Sequence, residues 1–172
     1  VTRGIDAAIR LVKEGGAHSV KLEGATPTVL GIIRELTSHG IPVTGHVGLI
    51  PQSVHAFGGF KMQGKDNDNA RRILSEAHDI EAAGAHAIVL ESIPHTLAGT
   101  ITDALKIPTI GIGAGPLCDG QVLVINDLLG IDDRFCPGFV KQYANLALTI
   151  TDAVERYALD VRQGSFPESK DQ

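Results

Sequence analysis

The segment GGAHSVKLEG at residues 15–24 is echoed by AGAHAIVLES at residues 83–92. In each copy a Gly-Ala-His start leads into an apolar run that alternates like a short β-strand and ends on a glutamate. A helical pattern precedes each copy. A helix and a strand that recur together at a fixed spacing indicate a repeating α/β architecture, in which the two copies occupy equivalent places.

Helical and strand-like patterns alternate along the rest of the chain as well. Helices are predicted at residues 5–14, 28–40, 69–84, 96–106 and 141–163. Strands are predicted at residues 18–24, 41–48, 85–92 and 107–115, and a fifth strand that runs into a turn is predicted within residues 121–130. Short links between such elements favour parallel strands joined by crossover helices. We therefore predict a (β/α) barrel, with a doubly wound open sheet as the competing fold.

The composition is that of an ordinary globular protein. The 172 residues are 43% hydrophobic and carry a formal charge of -5, which argues against a surface built to neutralise nucleic-acid phosphates. No apolar run reaches the roughly 18 residues that a membrane span needs, and no signal-peptide pattern opens the chain. Cys118 and Cys136 fit neither a disulfide framework nor a CxxC motif. We expect no nucleic-acid or membrane partner and a cytoplasmic location, with the mitochondrial matrix as the alternative.

The duplicated strands point to a shared site. Residues two apart in a strand lie on the same face, so Lys21 and Glu23 are expected on one face, as are Val89 and Glu91. Both glutamates fall at the carboxyl ends of their predicted strands, where parallel α/β folds carry their active sites. We therefore predict that the two carboxylates lie at the rim of one site.

Each candidate residue also has a structural interpretation. Glu91 is either a surface carboxylate where a strand ends or a partly desolvated carboxylate whose raised pKa suits proton transfer. Lys21 and Glu23 form either a salt-bridged pair or a site in which the ammonium holds an anionic substrate and the carboxylate faces a hard cation such as Mg²⁺. His46, which follows Thr-Gly and precedes a glycine-containing turn, is open to a site role and to a core role.

Two other histidines and a glycine-rich segment have simpler explanations. His18 and His86 precede their strands, at the end opposite to the predicted site, and are expected to be structural. The seven histidines contain no HExxH spacing, which argues against zinc. The segment GIGAG at residues 111–115 lacks the GxGxxG spacing, so close backbone packing at a strand end is preferred to anion binding.

Four segments taken together resemble the ketopantoate hydroxymethyltransferase family. They are VKLEG (20–24), GHVGLIPQSVHAFGGFKMQGK (45–65), LESIP (90–94) and IPTIGIGAGPLCDGQVLVINDLLG (107–130). They occur in the family's order and the match extends over nearly the whole chain, so the resemblance is specific. It implies a (β/α)₈ TIM-type barrel of the phosphoenolpyruvate/pyruvate superfamily, with only about the last five strands present in this chain.

The resemblance also implies an activity. Members of the family transfer a hydroxymethyl group from 5,10-methylenetetrahydrofolate to 3-methyl-2-oxobutanoate and so form 2-dehydropantoate for pantothenate biosynthesis. In these enzymes Mg²⁺ chelates the keto acid, and the reduced folate is a co-substrate. The resemblance therefore implies that the partners are a small-molecule 2-keto acid and a reduced folate, and we expect a homo-oligomer.

Matching this chain to the family residue by residue implies a role for each candidate. Lys21 matches the keto-acid-binding lysine, Glu23 a metal-site glutamate and Glu91 the catalytic base. His46 matches a histidine near the site and is predicted to bind substrate. Family members carry three more strands and two metal-binding aspartates upstream of VKLEG, which these residues lack. Because a helical pattern is already under way by residue 4 with no initiator Met, we expect the sequence to be the later part of a longer protein.

The predicted organisation is one domain over residues 1–172 that forms the C-terminal two-thirds of a barrel. It has helix–strand units over about residues 1–140, a long C-terminal helix over 141–163 and a tail over 164–172. Two other functions stay open. One is a different Mg²⁺-dependent keto-acid lyase of the same superfamily, which would be expected to carry a reactive cysteine near the rim. The other is a non-catalytic barrel fragment that serves as an assembly subunit.

Overall fold

The computed structural model describes residues 1–50, 62–132 and 134–168 of the chain. The chain divides into two compact units, Val1–Val122 and Leu123–Gln172, and all four predicted site residues belong to the first. The predicted single domain over residues 1–172 stays a prediction. Much of the family-like segment at residues 45–65 lies outside the described residues, which resume at Met62.

The first unit is built from alternating helices and parallel strands. Its elements are α1 (Thr2–Lys13), β1 (Val20–Lys21), α2 (Pro27–Ser38), β2 (Val43–Gly48), α3 (Asn67–Ala82), β3 (Ala87–Glu91), α4 (His95–Ala104), β4 (Thr109–Ile112) and β5 (Gly120–Gln121). The five strands form one sheet in the order β1-β2-β3-β4-β5, and every neighbouring pair is parallel. The predicted α/β fold with parallel strands is therefore confirmed. A doubly wound sheet reverses its strand order at a switch point, and the described strands show no reversal.

Side chains at the starts of α2 and α3 cap the first turns of these helices. The side chain of Thr26 accepts a hydrogen bond from the N–H of Val29 at the start of α2, and Pro27 takes the first helical position. At the start of α3 the carboxylate of Asp66 accepts from the N–H of Asn69 in the same way. Local sequence thus determines where these two helices begin.

The two faces of the sheet have different surroundings, because successive side chains of a strand point to opposite faces. One face packs against the helices in a core of buried apolar residues that includes Val43, Val47, Ile88, Leu90, Leu30, Ile33, Leu36, Ile73, Ala77 and Ile80. His46 and Glu91 alternate with these strand residues and so lie on the other face. The helix-packed core therefore fixes which side chains the sheet presents at the site.

Glycines occupy positions 45 and 111 because the packing there is tight. A Cβ at Gly45 would lie 2.3 Å from Cγ2 of Ile80, the α3 residue that covers it. A Cβ at Gly111 would lie 3.0 Å from the Sγ of Cys118, and one at Gly115 would lie 2.4 Å from the Cβ of His95. The GIGAG segment is therefore closely packed at Gly111 and Gly115, as the sequence analysis predicts.

The predicted fifth strand within residues 121–130 is wrong over most of its length. Strand β5 comprises Gly120–Gln121, and in the second unit Ile125–Leu129 forms a short helix, α5. Gly130 ends this helix in the left-handed conformation, and its N–H faces the carbonyl oxygens of Asn126 and Asp127. An apolar run such as VLVI fits a strand or a helix equally well, and a left-handed glycine is a common helix end.

The final helix, α6, runs over Leu146–Gln163 and so begins later than the predicted residue 141. The side chain of Asn145 accepts a hydrogen bond from the N–H of Leu148, which caps the helix at this point. Gly164, in the left-handed conformation, ends it where predicted. Across the described ranges, every helix falls short of the length or the apolar character that crossing a bilayer requires.

Replacing Ile80 by alanine tests how α3 is held against the sheet. Ile80 is fully buried, so Ile80→Ala should leave a cavity and lower the free energy of unfolding by about 2–5 kcal/mol. Leu11 is 55% exposed on α1, so the control Leu11→Ala should change it by less than about 0.5 kcal/mol. Urea unfolding measures both variants. Equal effects of the two substitutions would contradict the core described here.

Candidate active site

The predicted site residues meet at the carboxyl ends of β1, β2 and β3. Lys21 is the last residue of β1, and Glu91 is the last residue of β3. His46 lies on β2 between these strands and is paired in register with Val89. The three side chains share the face that is turned away from the helix-packed core, since residues in register share a face. Glu23 lies two residues beyond the end of β1, with Oε1 3.5 Å from Nζ of Lys21 and 4.0 Å from Nδ1 of His46. The structure therefore brings all four candidates together.

Lys21 and Glu23 form the β1 side of the site. The Nζ of Lys21 lies 3.5 Å from Oε1 of Glu23, and the two side chains are 48% and 16% exposed. A pair this open to water contributes little to stability, about 0–1 kcal/mol. The Lys21 ammonium is therefore accessible to an anion that enters the site.

His46 is fully buried, and its two ring nitrogens have different neighbours. Its Nε2 lies 3.0 Å from the carbonyl oxygen of Leu49 and 3.3 Å from Oε2 of Glu91. Its Nδ1 lies 4.0 Å from Oε1 of Glu23, which is too long for a hydrogen bond. Burial and the nearby Lys21 ammonium lower the pKa of His46. The ring is therefore neutral at neutral pH, and its contacts with the two glutamates are not ion pairs.

Glu91 occupies the β3 side of the site, where its side chain is 18% exposed. Burial raises the pKa of Glu91, the Lys21 ammonium opposes that change, and the negative charge of Glu23 adds to it. A carboxylate with a raised pKa accepts a proton more readily near neutrality. Glu91 therefore has the property that a general base needs.

Unusual backbone conformations lie beside Glu91. Gly48 has a φ of 98°, and a Cβ there would lie 2.2 Å from the carbonyl oxygen of Glu91. Because no side chain intervenes, the N–H of Leu49 donates to that carbonyl oxygen at 2.9 Å. Ser92 follows Glu91 with a φ of 51°, which is uncommon for a residue other than glycine. Strained conformations of this kind concentrate at functional sites.

His86 lies at the opposite ends of the strands. Its Nε2 is 3.0 Å from Oγ of Ser19 and 3.2 Å from Oγ1 of Thr44. These contacts join the starts of β1, β2 and β3, in agreement with the structural role predicted for His86. His18 is exposed and lies outside this cluster of hydrogen bonds.

The described residues supply one ligand for a hard cation, and they do not by themselves form a complete metal site. Among them, Oε2 of Glu23 and Nδ1 of His46 are buried without a hydrogen-bond partner. An unpartnered carboxylate oxygen is a suitable ligand for Mg²⁺. Over the same described ranges, no group of three or more His, Cys, Asp or Glu side chains could hold a metal ion. Glu23 is therefore the described residue that fits as a magnesium ligand.

Comparison with known proteins supplies a family for this arrangement. The family model described as ketopantoate hydroxymethyltransferase matches residues 1–169. The chain belongs to this family. The membership that the four sequence segments indicated is confirmed, and it covers both compact units.

Individual relatives have the same family name in common. The chain is 56% identical over 158 residues to the 3-methyl-2-oxobutanoate hydroxymethyltransferase of Trichlorobacter lovleyi, which is 92% of this chain and 59% of that protein. It is 54% identical over 168 residues to the protein of that name from Syntrophus aciditrophicus, with 98% of this chain and 61% of the relative covered. It is 53% identical over 165 residues to the protein of that name from Anaeromyxobacter dehalogenans, with 95% of this chain and 53% of the relative covered. The chain thus spans between 53% and 61% of the length of these relatives.

The part of the site that sequence reasoning missed is a backbone group. The carbonyl oxygen of Leu49 contacts His46, but a carbonyl is present at every position and carries no sequence signal. The signal that could have indicated it is Gly48, a glycine at the end of an apolar strand, which permits a close approach between strands. The four candidate side chains are brought together, and their chemical roles stay predictions.

Gly48→Ala tests the close approach of β2 to Glu91. Alanine would have to adopt a φ of 98° with its Cβ 2.2 Å from a backbone oxygen, so the free energy of unfolding should fall by about 2 kcal/mol or more. The matched control is Gly31→Ala. Gly31 lies within α2 with nothing within 4 Å of an added Cβ, so this change should be neutral or stabilising by up to about 1 kcal/mol. Urea unfolding measures both variants. Equal changes in the free energy of unfolding would show that β2 does not approach Glu91 as closely as described.

Proposed function

We propose that this chain carries the base, the substrate-binding lysine and one metal-site glutamate of a 3-methyl-2-oxobutanoate hydroxymethyltransferase. The reaction transfers a hydroxymethyl group from 5,10-methylenetetrahydrofolate to 3-methyl-2-oxobutanoate and gives 2-dehydropantoate for pantothenate biosynthesis. The observation that supports this most strongly is the position of Glu91. It is a carboxylate of raised pKa beside buried His46 and near Lys21, in a chain of this family.

Glu91 takes the proton from C3 of the keto acid. The electron pair of the broken carbon–hydrogen bond enters an enolate, whose negative charge is shared with the keto oxygen, and the proton moves to a carboxylate oxygen of Glu91. Catalysis by a positioned base of this kind contributes about 10²–10⁴-fold in rate. The burial that raises the pKa of Glu91 favours this transfer near neutral pH.

Lys21 binds the negative charge of the substrate. Its ammonium is partly exposed beside Glu23, and it attracts both the carboxylate of the keto acid and the enolate oxygen that develops charge. A bound Mg²⁺ supplies Lewis-acid stabilisation to the same charge, and Glu23 is the residue that fits as its ligand. Lys21 and Glu23 lie 3.5 Å apart, so the ammonium and a cation held by Glu23 would act on the same part of the substrate.

The new carbon–carbon bond forms between C3 and the methylene carbon carried by the folate. The two carbon–nitrogen bonds to that methylene break, and water supplies the hydroxyl group of the product. The two folate nitrogens take up the proton removed from C3 and the remaining proton of the water. Removal of the C3 proton by Glu91 comes before these bond changes, and it is the only step that does not involve folate.

The proposal extends to the complete barrel and the assembly. Five parallel strands in sequential order are what part of a (β/α)₈ barrel of the phosphoenolpyruvate/pyruvate superfamily would contain. An open sheet of this kind has two edges, which other strands or chains need to cover. A cytoplasmic homo-oligomer with small-molecule partners, and with no nucleic-acid or membrane partner, belongs to the same proposal.

The two cysteines disfavour the lyase alternative. Burial raises the pKa of Cys118, which leaves little of the reactive thiolate at neutral pH. Cys136 is exposed and belongs to the second compact unit, whereas Lys21 and Glu91 belong to the first. The hydroxymethyltransferase is therefore the function that the described residues support best.

Glu91→Gln separates proton transfer from binding. Glutamine keeps the size and much of the hydrogen bonding of Glu91 but cannot act as the base. In the protein at its full natural length, exchange of the C3 proton of 3-methyl-2-oxobutanoate with deuterated solvent should fall by about 10²-fold or more, while affinity for the keto acid changes little. NMR follows this exchange without folate.

The matched control is Glu14→Gln. Glu14 follows α1 and pairs with Arg10 on the surface, so the change should leave exchange unaltered. Exchange at the original rate in Glu91→Gln would overturn the assignment of Glu91 as the base. Loss of exchange in both variants would indicate a general defect in folding rather than loss of a base.

Mg²⁺ should bind weakly to the 172-residue chain by itself. Glu23 is the described residue that fits as a ligand, and Mg²⁺ usually needs more than one carboxylate or phosphate from its surroundings. Isothermal titration should therefore give a dissociation constant above about 1 mM. A micromolar dissociation constant that Glu23→Gln leaves unchanged would contradict both the weak binding and the role of Glu23.

A further inference from the structure

His46 lies between the two carboxylates of the site. Strand β2 carries it between β1 and β3, and its side chain is 1% exposed. Its Nε2 is 3.3 Å from Oε2 of Glu91, and its Nδ1 is 4.0 Å from Oε1 of Glu23. The two nitrogens therefore face different carboxylates, and the function of His46 depends on which nitrogen carries the hydrogen.

The carbonyl oxygen of Leu49 determines that choice. It lies 3.0 Å from Nε2 of His46, and since a carbonyl oxygen only accepts hydrogen bonds, Nε2 is the donor. In the neutral ring Nδ1 then has a lone pair and no hydrogen. Within the described residues, Nδ1 has no hydrogen-bond partner. The hydrogen on Nε2 is thus the one that His46 can present to a neighbouring acceptor, and Oε2 of Glu91 is within reach.

Leu49 also holds the backbone of Glu91, so this one residue contacts both Glu91 and His46. The N–H of Leu49 donates to the carbonyl oxygen of Glu91 at 2.9 Å, while the carbonyl oxygen of Leu49 accepts from His46. Gly48 makes this possible, because a side chain at that position would collide with Glu91. The main chain of Glu91 and the imidazole that faces its carboxylate are therefore held by one residue.

We propose that His46 is a positioning residue for Glu91, which it orients toward the C3 proton through Nε2–H without binding the keto acid itself. This inference rests on the proposed function of Glu91 as the base. It differs from the substrate-binding role that the family resemblance implied for His46. That role would use Nδ1, the nitrogen that faces Glu23.

The geometry explains how His46 orients Glu91 without suppressing its basicity. A strong hydrogen bond to the ionised carboxylate would stabilise it and lower its affinity for a proton. The separation of 3.3 Å between Nε2 and Oε2 of Glu91 is longer than the 3.0 Å from Nε2 to the carbonyl oxygen of Leu49, so the hydrogen on Nε2 is directed mainly at Leu49 and its contact with Glu91 is the weaker of the two. The contact therefore restricts the direction of the carboxylate, while burial still raises the pKa of Glu91.

Two substitutions at position 46 distinguish the two nitrogens. In His46→Gln the side-chain amide nitrogen can occupy the place of Nε2 and donate to Leu49 and Glu91. In His46→Asn the shorter side chain puts its amide near the place of Nδ1 and leaves Leu49 and Glu91 without that donor. The measurement is the C3 proton exchange of 3-methyl-2-oxobutanoate, with its maximal rate and its KM, in the protein at its full natural length.

The proposal predicts that His46→Asn lowers the maximal exchange rate by about tenfold or more with little change in KM, and that His46→Gln retains it to within about threefold. The reverse ranking, a rise in KM as the main effect, or equal rates in both variants would overturn it. Measuring Glu91→Gln in the same assay distinguishes the hypothesis that Glu91 is the base from the hypothesis that His46 positions it. If that variant loses exchange while the ranking at position 46 fails, His46 is not the positioning residue, although Glu91 is still the base.

Nitrogen-15 NMR of the unsubstituted protein tests the proposal even if a variant does not fold. The imidazole signals of His46 should show hydrogen on Nε2 and a bare Nδ1, and they can be assigned by their loss from the spectrum of either position-46 variant that folds or by through-bond correlation. A hydrogen on Nδ1, with Nε2 bare, would overturn the proposal.

Discussion

The register between β2 and β3 sets the geometry on which the site depends. It pairs His46 with Val89 and Gly48 with Glu91, so these residues lie at matching levels near the carboxyl end of the sheet. A slip of one residue would turn Glu91 toward the helix-packed core and bring Leu90 into the site. The register is held by the close approach at Gly48, where a Cβ would lie 2.2 Å from the carbonyl oxygen of Glu91. Packing and site geometry therefore have a common origin.

Burial determines protonation in the site more than charge does. It is the largest influence on the raised pKa of Glu91 and on the lowered pKa of His46. Lys21 lowers both values, but its side chain is 48% exposed, so water and salt screen its charge. The outcome is a neutral imidazole beside a carboxylate that binds a proton readily. A charged imidazolium at the same position would form an ion pair and make Glu91 a weaker base.

Local patterns predict the parts of this structure that depend on neighbours in sequence. The alternation in the echoed segments at 15–24 and 83–92 is enough to predict parallel strands and glutamates at one end of them. The fifth strand is mispredicted because an apolar run suits a strand or a helix, and Gly130, a few residues on, ends a helix there. The hydrogen position on His46 is beyond local prediction. It depends on the carbonyl group of Leu49, which reaches the ring because Gly48 lies against a strand more than forty residues away.

A crystal structure of the protein at its full natural length with 3-methyl-2-oxobutanoate bound measures the central distance, that between Glu91 and C3. A carboxylate oxygen of Glu91 is expected within about 3.5 Å of C3, with the Lys21 ammonium at the keto-acid oxygens and Nε2 of His46 still bonded to Leu49. A keto acid whose C3 lies beyond the reach of Glu91, or whose oxygens contact Nδ1 of His46 in place of Lys21, would contradict the roles assigned to these three residues.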